Sequence, residues 1–179
     1  MKFESAGIDG VTLVTPPRFE DNRGSFVKTF HEGLWLEAGV GFSSTEEFFS
    51  VSHKDVIRGM HFQKPPFDHA KVVTCLRGAV LDVFLDLRRN SPTYGKSSAV
   101  ELSEDNRRIL HIPSGFAHGF LSLRDESLMH YRVSTVHAPS ADAGVLWNSF
   151  GFDWGVTNPI VSARDSAFAA LAESETAFF

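Results

Sequence analysis

Short apolar segments of strand length alternate with turn residues along most of the chain. The stretch KVVTCLRGAVLDVFLDLR at residues 71–88 divides at Arg77-Gly78 into two such segments. In the second one, apolar side chains recur at every second position from Leu81 to Leu87, whereas Asp82 belongs to the other face. A period of two residues is that of a β-strand, so the stretch predicts two strands joined by a tight turn.

The segments between the predicted strands are rich in proline, glycine, asparagine and serine, as in TPPRFEDNRG, RRNSPTYGKS, HIPSG and VHAPSADAG. Turn residues at such short intervals, without long helices between them, are typical of an antiparallel sandwich or barrel. We therefore predict an all-β fold. Helical turns are predicted at HEGLWLEAG and, more strongly, at SARDSAFAALAES near the C-terminus. In the latter, Ser162 and Asp165 have the spacing of a helix capping box ahead of an alanine-rich run.

Length and composition indicate one ordinary globular domain. The chain has 179 residues, of which 42% are hydrophobic, and we assign residues 1–179 to a single domain. Lys and Arg total 17 against 22 Asp and Glu. The resulting net charge of -5 argues against a nucleic-acid partner.

Cysteine usage and the lengths of the apolar runs bear on the compartment. Cys75 is the only cysteine, so neither an intrachain disulfide nor a cysteine set for zinc is available, which fits a reducing cytoplasm. No apolar run reaches the length of a signal peptide or a membrane span. We therefore expect a soluble cytoplasmic protein with no membrane partner.

The stretch VIRGMHFQKPPFDHAK at residues 56–71 gathers Arg58, His61, His69 and Lys71 around a Pro-Pro loop. A single histidine in a strand is usually a packing residue. Two cations in the same loop and strand are harder to bury without a partner, and arginine is suited to bind a phosphate with two parallel hydrogen bonds. The stretch therefore predicts a site for an anionic ligand.

The stretch HIPSGFAHGF places Pro113, Gly115 and His118 in the spacing P-x-G-x-x-H. This spacing resembles the second signature of the cupins, which are small double-stranded barrels of the jelly-roll type. A cupin metal site also needs H-x-H followed by a carboxylate, whereas this chain has His61, then phenylalanine, then Gln63. We therefore predict no metal and an acid-base site instead.

Three further features are ambiguous when each is taken alone. Tyr131, Val133, Thr135 and His137 share one face of a strand if the alternation is regular, but a tyrosine in a barrel strand more often packs than reacts. Asp165 at the start of a helix is explained by the helix dipole alone. The DNRGSF stretch likewise reads first as a turn.

Taken together, the motifs resemble the dTDP-4-dehydrorhamnose 3,5-epimerase family of nucleotide-sugar enzymes. In chain order they are PRFEDNRGSF, VIRGMHFQKPP, KVVTCLRGAVLDVFLDLRRNSPTYG, LSEDN, IPSGFAHGF, VLWN and SARD. The resemblance implies a double-stranded jelly-roll (cupin) barrel with short flanking helices, including a C-terminal helix. It also implies a nucleotide-diphosphate ketosugar substrate, catalysis without a cofactor, and a homodimer in which an N-terminal strand is exchanged.

The resemblance assigns a role to each of four catalytic residues. His61 matches the general base, and Asp165 matches the partner that orients the imidazole ring. Lys71 fits the stabilisation of an enolate oxygen, and Tyr131 matches the acid on the opposite face of the sugar. Other positions match contacts to the diphosphate, sugar or base: Arg23, Lys28, Phe48, Arg58, His118, His137, Asp142 and Arg164.

Departures from the family pattern cluster at positions that recognise the nucleotide or the periphery of the substrate. Lys28 replaces the usual glutamate, Glu46 and Phe48 replace the glutamine and asparagine of Gln-x-Asn, and His137 replaces the tyrosine that stacks on the base. Asp142 replaces a further glutamate. These changes lead to the hypothesis of retained chemistry on a sugar linked to another nucleotide, for instance CDP or GDP.

Several alternatives stay open at this point. The same residues would serve inversion at C3, at C5 or at both, and a single-site epimerase would need no other parts. Ketoisomerisation between C3 and C4 also passes through an enediol. A non-catalytic protein that binds nucleotide sugars is a further alternative, although the presence of both His61 and Tyr131 favours an enzyme.

Overall fold

The computed structural model describes residues 1–174 and residue 178, and it is built mainly of strands. The strands in chain order are β1 Lys2–Ser5, β2 Thr12–Thr15, β3 Arg18–Asp21, β4 Gly24–Val27, β5 Glu46–Ser52, β6 Val56–Gln63, β7 Lys71–Arg77, β8 Ala79–Asp86, β9 Ser97–Ser103, β10 Ile109–Ile112, β11 Phe116–Ser122, β12 Ser127–Val133, β13 Asp142–Gly144 and β14 Ile160–Val161. The helices are α1 Glu32–Glu37, α2 Ala163–Ser166 and a 3₁₀ turn at Leu171–Glu173.

Two sheets face each other and form the barrel. The first sheet has six strands in the order β1-β2-β10-β7-β12-β5. The second sheet has the order β13-β6-β11-β8-β9, with β14 added in parallel to β6. The prediction of an all-β jelly-roll barrel with short flanking helices is confirmed.

Both faces of the second sheet are buried, which explains the apolar character of its strands. On the inner face of β8, Val80 and Phe84 join the core between the sheets. On its outer face, Val83 and Leu85 pack with Trp154 and other residues of the C-terminal third of the chain. The sequence of a strand that is covered on both faces is a nearly continuous run of apolar residues.

Helix α1 covers part of the outer face of the first sheet. It begins after His31, whose Nδ1 accepts a hydrogen bond from the backbone N–H of Leu34 at 3.4 Å. The helix buries Trp35 to 1% exposure against Val14 and Ile109. The helical turn predicted at HEGLWLEAG is therefore confirmed.

The C-terminal helix is present but much shorter than the alanine-rich run predicts. Helix α2 ends at Ser166, because the next residues bind to another segment instead of continuing the helix. The carbonyl oxygen of Ala169 accepts a hydrogen bond from Leu146 N–H at 2.9 Å, and the ring of Phe168 packs against Gly144. These tertiary contacts override the local helix propensity of the run.

Strands β3 and β4 form a hairpin that is separate from both sheets. The stretch DNRGSF makes its turn and its returning strand, with Asp21 paired to Gly24. Phe19 and Phe26 contact each other but remain 59% and 61% exposed. None of the helices in the described part of the chain has the length and apolar character that crossing a bilayer requires.

Candidate active site

A cavity of about 290 Å³ lies between the two sheets and contains most of the predicted site residues. Those that line it are Phe48, Arg58, His61, Lys71, His118, Tyr131, His137, Asp142 and Arg164. Val133 and Thr135 also line it, so all four residues from Tyr131 to His137 that were predicted to share a face reach the cavity. Strand β12 itself ends at Val133, however, and Thr135 and His137 lie in the segment that follows it. Arg23 and Lys28 do not line it, because they lie on and next to the hairpin outside the barrel.

A bulge in the pairing of β6 with β11 brings Arg58 and His61 to the same cavity. A separation of three residues would place two side chains on opposite faces of a regular strand. Here His61 pairs with His118 while Arg58 pairs with Phe120, so β6 has one extra residue in this interval. Gly59 permits the close approach, since an added Cβ would lie 2.6 Å from the Cα of Gly119.

His61 and Asp165 form a hydrogen-bonded pair at the wall of the cavity. The Nε2 of His61 lies 2.8 Å from Oδ1 of Asp165, and the backbone N–H of Gly59 donates to Oδ2 at 3.0 Å. Burial alone would raise the pKa of Asp165, but the hydrogen bonds from His61 and Gly59 lower it below its ordinary value. The carboxyl group is therefore ionised and accepts both bonds.

Only one of the two hydrogen bonds of the predicted capping box is formed, because the Asp165 carboxylate binds His61 instead. The Oγ of Ser162 accepts a hydrogen bond from the backbone N–H of Asp165 at 3.0 Å, as a helix cap does. The carboxylate turns away from the helix and faces His61. An ionised carboxylate can only accept, so Nε2 of His61 carries the proton and Nδ1 keeps the lone pair that a base requires.

Lys71 lies on the first sheet and is buried beside the pair. Its Nζ donates to the carbonyl oxygen of His61 at 3.0 Å. Burial lowers the pKa of Lys71 to about 8, although the charges of Asp82 and Asp142 oppose this shift. The amine stays mostly protonated at neutral pH and has further N–H donors for a ligand.

His118 and Asp82 form a second pair deeper in the barrel. The His118 Nε2 lies 2.9 and 3.0 Å from the two carboxylate oxygens of Asp82, which is fully buried. Burial lowers the pKa of His118, and the nearby Asp82 carboxylate opposes that shift. Asp82 therefore offers negative charge to both His118 and Lys71.

Tyr131 faces the cavity from the first sheet, opposite the sheet that carries His61. Its ring stacks on Phe48, the register partner on β5, with centroids 4.7 Å apart and planes inclined by 16°. Its hydroxyl lies 3.3 Å from Oγ of Ser50. Burial raises the pKa of Tyr131, so the phenol keeps its proton and can act as an acid.

Arg58 is a second cation at the cavity, besides Lys71, that hydrogen-bonds to neutral groups. Its Nε donates to Ser52 Oγ at 2.9 Å, and one terminal nitrogen donates to the carbonyl oxygen of Val51 at 3.1 Å. Arg164, by contrast, donates to the Asp142 carboxylate at 2.6 Å. The positive charge of Arg58 is therefore available to an anionic ligand.

The family model described as dTDP-4-dehydrorhamnose 3,5-epimerase matches residues 5–173. The chain belongs to this family. The membership confirms the resemblance predicted from the motifs, and it makes the protein a member of a family of carbohydrate epimerases.

Relatives in the epimerase family match over nearly the whole chain. A dTDP-4-dehydrorhamnose 3,5-epimerase from Methanothermobacter thermautotrophicus is 38% identical over 178 residues, covering 97% of this chain and 96% of the relative. A dTDP-4-dehydrorhamnose 3-epimerase from Streptomyces niveus is 38% identical over 180 residues, covering 99% of this chain and 87% of the relative. A crystal structure of a dTDP-4-dehydrorhamnose 3,5-epimerase from Bacillus anthracis, with TDP and PPi bound, gives a TM-score of 0.92 at 36% identity over 95% of this chain and 99% of that one.

The cavity of this epimerase-family chain also contains Ser50 and Gln63, for which the motifs predicted no role in the site, and behind them lies the buried Asp82. Two further cavity residues lie where the sequence predicted a ligand. Glu46 is one of the departures at positions that recognise the nucleotide, and His69 belongs to the stretch at residues 56–71 that predicted an anion site. Asp82 belongs to the face of β8 opposite the leucines, but its pairing with His118 depends on how β8 and β11 align.

Proposed function

We propose that the protein epimerises a nucleotide-linked 4-keto-6-deoxyhexose, inverting C3, C5 or both. The observation that carries this proposal is the placement of His61 and Tyr131 on the two facing sheets around one cavity. An inversion needs a base on one side of the carbon and an acid on the other. The proposal also draws on the family membership and on the names of the relatives.

The reaction begins when Nδ1 of His61 removes the proton from a carbon next to the C4 ketone. The electron pair of the broken C–H bond forms the enolate, whose negative charge rests on the C4 oxygen near the ammonium group of Lys71. Asp165 stabilises the imidazolium that results. The phenol of Tyr131 then gives a proton to the opposite face of the carbon, and exchange with solvent restores both residues.

The diphosphate of the substrate is assigned to Arg58 and to Arg23 of a second chain. Arg23 is 86% exposed, and the hydrogen bonds it makes among the described residues are to Asp21. We propose a homodimer in which the β3–β4 hairpin, with Arg23 and the following Lys28, reaches the cavity of the partner. The exposed rings of Phe19 and Phe26 on this hairpin support a contact with another surface.

The nucleotide is tested with dTDP first, because the relatives are named for it. Glu46 supports a comparison with CDP and GDP: its carboxylate lines the cavity and accepts a hydrogen bond from the backbone N–H of His137 at 2.7 Å. A carboxylate in this position can accept a hydrogen bond from the exocyclic amino group of cytosine or guanine, which thymine lacks. We also propose that residues 1–179 act as one catalytic domain and that the reaction takes place in the cytoplasm.

Proton NMR in deuterated water tests this function directly. The wild-type protein is incubated with 4-keto-6-deoxyglucose linked to dTDP, CDP or GDP, and deuterium is followed at C3 and C5. We expect incorporation that falls by at least about 10²-fold in His61→Ala, while His53→Ala on the exposed surface serves as the matched control. Labelling at one carbon or both separates a single from a double epimerase.

Three other outcomes would change the assignment. Migration of the ketone to C3 without inversion would favour the ketoisomerase. Binding of the nucleotide sugar without any exchange would favour a non-catalytic binding protein. Tighter binding of dTDP than of CDP, GDP and UDP would contradict the hypothesis of a different base.

A further inference from the structure

Gln63 organises two loops at the rim of the cavity. Its Oε1 accepts a hydrogen bond from the backbone N–H of Ala138 at 2.6 Å. Its Nε2 lies 2.8 Å from the carbonyl oxygen of Phe67, 3.3 Å from that of Val136 and 3.0 Å from Nδ1 of His69. Gln63 is itself only 3% exposed, so this arrangement lies inside the protein.

These contacts fix the tautomer of His69. A backbone N–H can only donate, so the amide oxygen of Gln63 must face Ala138. The amide nitrogen then donates its two hydrogens to its two nearest neighbours, the carbonyl oxygen of Phe67 and Nδ1 of His69. An amide nitrogen can only donate, so Nδ1 of His69 must accept and carries no proton. The neutral ring then holds its single proton on Nε2.

The surroundings of His69 favour the same neutral form. Burial and, after it, the positive charges of Lys71, His118 and His137 lower its pKa to about 3. Nε2 has no hydrogen-bond partner among the described residues, and it is not enclosed by protein atoms. His69 therefore offers one uncharged N–H donor at the cavity wall.

We propose that His69 is a further substrate-binding residue, whose Nε2–H donates to an oxygen of the bound ketosugar. The sugar is favoured over the diphosphate because His69 is close to Lys71 and His118, which lie around the reacting carbons, whereas Arg58 is the charged group suited to phosphate. The inference rests on the proposed function, since it names a contact within that site. Gln63 acts as its positioning residue.

An uncharged donor suits this position because it does not compete with the base. A second imidazolium in the cavity would raise the cost of protonating His61 during the reaction. A neutral N–H can hold a hydroxyl or carbonyl oxygen without adding charge. The contact is therefore expected to persist from about pH 5 to pH 8.

The first test compares the binding of a nucleotide with that of its ketosugar. In a His61→Asn background, which prevents turnover, calorimetry gives the Kd for dTDP and for dTDP-4-keto-6-deoxyglucose. Adding His69→Phe is expected to weaken ketosugar binding about tenfold and to leave dTDP binding within about twofold. Adding His69→Gln, which keeps an N–H donor, is expected to recover most of the loss, and His53→Phe is the matched surface control.

The outcomes separate this inference from the proposed function. Equal ketosugar binding with and without His69→Phe would overturn the inference, and equal weakening of dTDP and ketosugar would move the contact to the diphosphate and also overturn it. If dTDP, CDP, GDP and their 4-keto-6-deoxyglucose derivatives all failed to bind even with His69 intact, the proposed function itself would fail, together with the contact that rests on it.

Nitrogen-15 NMR of the imidazole rings gives an independent reading of the tautomer. We expect His69 to show a protonated Nε2 and an unprotonated Nδ1 from about pH 5 to pH 8. Gln63→Met removes the amide donor and is expected to release the ring to a mixture of tautomers. A His69 ring that titrates near its ordinary pKa in the wild type, or that carries its proton on Nδ1, would overturn the inference.

Discussion

At the scale of residues, the hydroxyl of Tyr131 is needed for only one of the two proton transfers in the proposed reaction. Tyr131→Phe keeps the stacking on Phe48 but removes the phenol. Because His61 can still remove a proton and return a solvent deuteron to the same face, we expect deuterium exchange without inversion. The rate of inversion should fall by about 10²-fold or more, as measured by NMR of substrate and product in deuterated water.

The matched control at this site is Ser50→Ala. It removes the hydrogen bond to the Tyr131 hydroxyl at 3.3 Å but leaves the phenol in place, so inversion should persist. Loss of exchange together with inversion in Tyr131→Phe would show that the tyrosine takes part in proton removal, and the assignment of base and acid would have to change.

Burial of the His111 ring is expected to make the folded protein less stable in acid. Its two ring nitrogens are buried without a hydrogen-bond partner in the described part of the chain, between the rings of Trp35 and Phe42. Burial lowers its pKa to about 4. The unfolded chain, with a pKa near 6.5, therefore binds more protons between these values, and stability is lost as the pH falls from about 6.5 to about 4.

His111→Phe should remove this acid sensitivity. Between pH 7.5 and pH 5 the free energy of unfolding should fall by about 2 kcal/mol less in the variant than in the wild type. Urea unfolding at the two pH values measures this difference, and His53→Phe on the exposed surface is expected to change nothing. An equal fall in wild type and His111→Phe would show that His111 does not contribute.

At the scale of elements, the bulge in β6 is the feature on which the site depends. Gly59 has a φ of +143°, and an added Cβ would lie 2.6 Å from the Gly119 Cα. Gly59→Ala must therefore push β6 away from β11. We expect it to lower the free energy of unfolding by about 3 kcal/mol, from strain and overpacking together, and to reduce activity through displacement of His61.

Gly151→Ala is the matched control for the backbone effect. Gly151 also has a positive φ, +75°, but nothing lies within 4 Å of an added Cβ. This variant should therefore cost only about 1 kcal/mol and leave activity intact. If Gly59→Ala were as mild as Gly151→Ala in thermal or urea unfolding, the close approach of the two strands would not be required.

The elements also show where sequence patterns stop being informative. The period of two residues predicted the strands and the shared face of Tyr131 and Val133, because alternation is a local property of an extended chain. The bulge that turns both Arg58 and His61 inward could not be predicted, since it depends on the pairing of β6 with β11. The alanine-rich run after Ser166 does not continue the helix for a similar reason. Its conformation depends on contacts with residues 144–146, which are distant in sequence.

At the scale of the whole molecule, the motifs predicted the residues of the site better than its connections. His61 and Lys71 are close in sequence and could be grouped by their spacing. The pairing of His61 with Asp165 spans 104 positions, and that of His118 with Asp82 crosses two strands, so only the assembled sheets bring them together. The family resemblance supplied the first of these pairs, whereas nothing in the chain identified the second.

The largest-scale prediction concerns the proposed exchange of the β3–β4 hairpin between two chains. If Arg23 serves the partner's cavity, then Arg23→Ala and His61→Ala damage different sites of a mixed dimer. One site would contain both substitutions, and the other would contain intact His61 and Arg23. Random re-pairing of two inactive variants at equal amounts should therefore restore about one quarter of the wild-type activity per site.

The measurement is the rate of inversion, followed by NMR of substrate and product, after the two variants are unfolded together and refolded. Refolding each variant alone gives the baseline, and a mixture of His61→Ala with Tyr131→Phe is the matched control. Both His61 and Tyr131 line the cavity of their own chain, so every site in this second mixture lacks one of the two. No intact site should therefore arise in it. Recovery of activity in the first mixture but not in the second would support the exchange of the hairpin. No recovery in either mixture would show that Arg23 acts in the cavity of its own chain.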